Sequence, residues 1–203
     1  MLWFGRSWGT TFAIVVANTQ CKTRPLNAAG RQSEVRLENL SPRDIEPANN
    51  PIDLIEDIAA ANAWAADRQN EDELAVQVTG QWCDLQLWFA WHADTQSLFI
   101  SCALDMRVPV DRRDAIYPLL AKINERLWIG HFELWSREGW PTFRHTLVAN
   151  RDLEFGLSMV DDVIETARAE CDRFYPAFQF VIWGERSADE AIEAALVEPV
   201  GEA

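Results

Sequence analysis

The chain has 203 residues and a formal net charge of −14, with 48% of residues hydrophobic and 25% charged. That length suits one domain plus an appendage, and a block of roughly 150 residues buries about 68–70% of its unfolded surface, enough for a core. So acidic a chain repels phosphate backbones, which speaks against nucleic acid as a direct partner and favours a basic or amphipathic polypeptide; no stretch approaches the ~20 apolar residues of a membrane span.

The charge is uneven along the chain. Residues 1–43 hold six Lys/Arg against two Asp/Glu, a net of +4; the remainder holds twelve against thirty, a net of −18. Residues 1–48 therefore read as a flexible, disordered basic arm, rich in polar residues and without sustained apolar periodicity. A small apolar run there, Phe12 to Ala17, is shorter than the apolar region of a secretion signal. The four cysteines, Cys21, Cys83, Cys102 and Cys171, are scattered, with no CxxC and no zinc spacing. Free thiols and the missing signal together read as a cytoplasmic protein.

The folded domain is expected over residues 49–203. Asn50-Pro51 combines a good N-cap with a good first helical residue, and Ile52, Ile55, Ile58 and Ala59 mark one helical face. Trp64 to Asp67 reads as a short, marginal strand. Leu74, Val76 and Val78 alternate with polar neighbours, as do Leu85, Leu87, Phe89 and Trp91, and then Leu98, Ile100, Cys102 and Leu104. Short connections make these strands an antiparallel meander.

A helix follows, carrying Ile116, Leu119, Leu120, Ile123 and Leu127, with Trp128 extending its face into the core. Pro118 is expected to kink it or to mark a later start, and Gly130 to end it. Phe132 and Leu134 open a hairpin that turns at Ser136–Gly139 and returns through Phe143, His145 and Leu147. A long helix, faced by Leu157, Val160, Val163, Ile164, Ala167, Cys171 and Phe174, is expected to kink or stop at Pro176. Ala177 to Trp183 reads as buried. Ser187-x-x-Glu190 is a capping box that opens a last short helix. The order α-β-β-β-α-β-β-α makes this an α+β domain, an antiparallel sheet of about five strands packed by helices.

Chemistry-bearing residues are few. His131 and His145 could meet across the hairpin, but no third metal ligand has suitable spacing, so no metal site is assigned. Asp161, Asp162 and Glu165 read as the solvated side of a helix. Cys83, with His92 or His145 as a base, has nothing but residue type behind it. The phosphate-binding glycine loops, HExxH and GxSxG are absent from the sequence. No catalytic residue is assigned, and the chain reads as a non-enzyme.

Aromatics carry the stronger signal. Six of the ten tryptophans lie between residues 82 and 140. Trp88 and Trp135 fall on the less apolar faces of their strands, and Trp82 and Trp140 at turn edges. These four are the candidate partner-binding residues, an aromatic patch on an acidic sheet.

The motif Leu127-Trp128-Ile129-Gly130-His131-Phe132-Glu133-Leu134-Trp135, followed by Phe143-Arg144-His145, resembles the YbjN domain family of bacterial proteins. So do Gly80-Gln81-Trp82-Cys83, Tyr175-Pro176-Ala177-Phe178-Gln179-Phe180-Val181 and the closing Val200-Gly201-Glu202-Ala203. The resemblance covers about residues 49–203. It implies a sensory-transduction regulator with a fold similar to type III secretion chaperones, which are small acidic dimers that bind extended polypeptide. It implies a homodimer, no catalytic residue and no cofactor. The resulting expectation is a regulatory or chaperone-like domain that binds a polypeptide on the aromatic side of its sheet. The alternative is a small-ligand sensor with a pocket between the sheet and the C-terminal helices.

Overall fold

A computed structural model describes residues 50–148 and 156–196. The basic arm and the Val200–Ala203 match lie outside the described residues.

Helix α1 (Pro51–Ala61) starts as its sequence specifies: the Asn50 side chain accepts the Ile52 N–H at 3.0 Å, with Pro51 next in line. Ile52, Leu54, Ile55, Ile58 and Ala59 are buried on one stripe. Strands β1 (Ala65–Asn70), β2 (Glu73–Thr79), β3 (Asp84–His92) and β4 (Ser97–Ala103) follow, then helix α2 (Arg113–Asn124). The hairpin β5 (His131–Trp135) and β6 (Trp140–Val148) leads to helices α3 (Leu157–Ile182) and α4 (Ala188–Leu196). The six strands form one antiparallel sheet in the order β1-β2-β3-β4-β6-β5.

The α+β class is as read, but the marginal stretch after Trp64 is a full edge strand. All six β1 residues are exposed, so no apolar alternation announced it. The four helices and one face of the sheet share a single core. That face carries Leu74, Val76 and Val78 of β2, Leu85, Leu87, Phe89 and Trp91 of β3, and Leu98, Ile100 and Cys102 of β4. Phe132 ties β5 to the rest. Its ring lies 5.5 Å from Phe143, 6.1 Å from Phe174 and 5.5 Å from Phe178, tilted or edge-on to each.

Several local expectations are corrected. Pro118 does not mark a later start: helix α2 begins at Arg113 and continues past the proline. A buried stripe of Ile116, Leu119, Leu120 and Ile123 on both sides of the proline offsets its cost of about 3 kcal/mol. The helix ends at Asn124, not at Gly130, because Asn124 turns its side chain to the backbone of Phe132. Gly130 sits instead at φ +70° in the turn into β5, where a Cβ would fall 2.3 Å from the Phe143 ring. Trp128, past the shortened helix, is 100% exposed and not core.

Helix α3 likewise runs through Pro176 to Ile182, with Phe174, Ala177, Phe178 and Val181 buried along it. Its apolar end is not buried throughout, since Trp183 follows the last helical turn at 60% exposure. The capping box forms as read: Glu190 accepts the Ser187 N–H at 2.9 Å, and the Glu190 N–H reaches the Ser187 hydroxyl at 3.4 Å.

Candidate functional site

Strand alternation sends every second side chain to the face opposite the helices. Register aligns these residues in rows. One row runs Asp67, Ala75, Trp88, Ser101, Arg144, His131 across all six strands. The next holds Ala65, Gln77, Gln86, Ala103, Thr142 and Glu133. On the other side lie Glu73, Ala90, Phe99 and Thr146. At the hairpin end, Trp135 pairs directly with Trp140.

The face is built of large aromatics beside small residues. Ala75, Ser101 and Thr142 are buried within it. Arg144 places its guanidinium 4.7 Å from the Phe99 ring centroid, a cation–π contact. The same guanidinium lies 3.6 Å from the Glu133 carboxylate. Glu133 also accepts the Trp135 indole N–H at 2.8 Å and has His131 Nε2 at 3.9 Å. One carboxylate thus orients Arg144 and Trp135 from adjacent positions, so the aromatic groups are held and not free to collapse.

The four candidate tryptophans do not make one patch. Trp88, Trp135 and Trp140 share the open face. Trp88 is three strands and four residues away from Trp135, about 20 Å at ordinary strand spacings. Trp82 belongs elsewhere: in the β2–β3 turn, 44% exposed, it donates its indole N–H to the Asp172 carbonyl of α3 at 2.8 Å. The Asp172 carboxylate accepts the Gln81 N–H at 2.7 Å, so this turn is stapled to the helix layer. Phe99 and Arg144 escaped the sequence reading, although Phe99 alternates with Leu98 and Ile100 and so had to face away from the core.

The chemical candidates separate. His131 pairs with Arg144, one residue short of His145, so the two imidazoles point to opposite faces of the sheet. Burial, and then the neighbouring His131, hold the His145 imidazole below its usual pKa. Cys83 precedes β3 and His92 ends it, roughly 30 Å apart at strand rise. Among the described residues, no three of His, Cys, Asp and Glu converge as metal ligands. Cys102 and Cys171 are buried free thiols, and burial pushes Cys171 well up, which makes it a poor nucleophile.

Asp161 corrects the reading of a solvated acidic side. Asp162 is exposed and Glu165 pairs with Arg168 at 2.5 Å, but Asp161 is 7% exposed and its Oδ1 accepts no hydrogen bond among the described residues. Burial, then Glu165 and Asp162, raise its carboxyl above the usual range.

Residues 51–180 match the model of the YbjN family, described as "Putative bacterial sensory transduction regulator". No curated protein and no solved structure matches the chain. No helix among the described residues is long and apolar enough to cross a membrane.

Proposed function

This chain belongs to the YbjN family, and from that membership we propose that it is a non-enzymatic regulatory domain that binds a polypeptide partner on the open face of its sheet. The observation that carries the reading is the composition of that face: Trp88 and Phe99 beside the small Ala75, Ala90 and Ser101, with Arg144 stacked on Phe99. Rigid aromatics give a partner side chain flat contact surface at low entropic cost. Trp135 and Trp140 form a second anchor at the hairpin end, while Trp82 serves the α3 staple. The net charge of −14 steers a basic or amphipathic segment toward the domain. In this reading the protein works in the cytoplasm, as a homodimer, in a chaperone-like or signalling role. Its free thiols fit a reducing compartment.

The test is recovery of a co-purifying polypeptide from native cells at low salt. Trp88→Ala with Phe99→Ala should reduce recovery at least tenfold, as loss of two anchors of about 1 kcal/mol or more each would. Trp82→Ala should leave it unchanged. Recovery with the double variant equal to that with the wild type would sink the assignment.

A further inference from the structure

The half of the open face formed by β1, β2 and β3 is acidic. Asp67, Glu73 and Asp84 point to it, and no Lys or Arg of those strands does, since Arg68 lies on the other face with Asp53 and Glu56 at 2.7 Å each. The matching positive charge is in the same chain: Arg6, Lys22, Arg24, Arg31, Arg36 and Arg43 give residues 1–43 their net of +4. That segment also carries Trp3, Phe4, Trp8 and Phe12, side chains of the kind the aromatic centre of the face accepts.

The point of attachment favours the encounter. Asn50 donates its side-chain N–H to the Glu71 carbonyl at 2.9 Å and lies 3.3 Å from the Asp72 carboxylate. The preceding chain therefore joins the domain at the β1–β2 turn, beside Glu73 and the row of Ala90 and Phe99. From there Arg43 can reach about 25 Å and Arg36 about 45–50 Å in extended form. Crossing from β1 to β3 requires only about 10 Å. A tether this short keeps the segment at high effective concentration over the face.

We propose that residues 1–43 dock in cis on the acidic, aromatic half of the open face and compete there with the partner polypeptide, so that the domain is self-occluded until a tighter ligand displaces its own arm. The inference rests on the reading of that face as a polypeptide-binding surface. Displacement makes the apparent affinity for a partner weaker by the fraction of molecules with the face uncovered.

The experiment uses the full chain with the photo-crosslinking amino acid p-benzoylphenylalanine in place of Phe99, and separately in place of the exposed Gln77, irradiated in dilute solution. The expected product migrates as a monomer and carries a crosslinked peptide from residues 1–43. Reversing four charges together (R24E, R31E, R36E, R43E) should cut its yield about fivefold or more, as should raised ionic strength, because exposed charges are screened. A product only at dimer mass would assign the face to a second copy, and no crosslink to residues 1–43 at either position would leave it to other occupants; either result overturns the proposal. Failure of the underlying function shows differently: the arm would crosslink, yet the charge-reversed chain would still recover no partner from cells.

Discussion

Asp161 shows how one buried carboxylate sets a pH dependence. Its folded pKa is raised from an ordinary 3.8, so the fold disfavours its ionised form. Below that value folded and unfolded chains are both protonated and no penalty exists. As pH rises, the unfolded chain loses the proton first, and stability falls until the raised folded value is passed. Asp161→Asn should therefore stabilise the protein near neutral pH by about 1 kcal/mol, with the gain fading below about pH 4. Urea midpoints of both proteins across that range check it, and a constant difference at every pH would refute it. Opposite logic governs Glu190, whose exposed carboxylate is held below its usual value by the Ser187 backbone and hydroxyl that it caps.

At the level of elements, the two sheet edges are treated differently. The outer edge of β5 is met at Phe132 by one residue of α2. Asn124 donates to the Phe132 carbonyl at 3.0 Å and accepts its N–H at 2.7 Å. These groups would otherwise be an unpaired strand edge, a template for association. Asn124→Ala should cost about 1–3 kcal/mol, the range for a partly buried donor and acceptor left unmet. Hydrogen exchange at the Phe132 amide should then rise toward that of a frayed strand; unchanged protection would show that the edge is guarded otherwise. At the far edge, β1 is exposed along its length and its register shifts between Arg68 and Asn70. That irregularity limits regular pairing to a few residues, a second way of blunting an edge.

Across the whole molecule, one core unites the sheet and all four helices, with Phe132 at the meeting of β5, β6 and α3. Phe132→Ala should destabilise the domain by about 3–5 kcal/mol, through lost burial and the cavity left behind. Since the core is continuous, thermal unfolding of the variant should remain a single transition at lower Tm. A separate early transition for the hairpin would show that the core is two units.

The elements facing the core were legible in the sequence because burial imposes a period. Alternation at 74–78, 85–91 and 98–104 and the stripes of Ile52–Ala59 and Ile116–Ile123 name strands and helices with no neighbour required. Caps were equally readable, since Asn50 and the Ser187–Glu190 box act within one turn. The family resemblance stood on local motifs of the same kind. Tertiary structure decided what local rules leave open. It set strand β1, which buries nothing, and the continuity of α2 and α3 through their prolines, where packing outweighs propensity. It put the two histidines on opposite faces and split the tryptophans among an open face, a helix staple and bare solvent. A tryptophan is equally suited to a core, an anchor or a surface. Only the register of six strands, and the helices on one side of them, determines which it becomes.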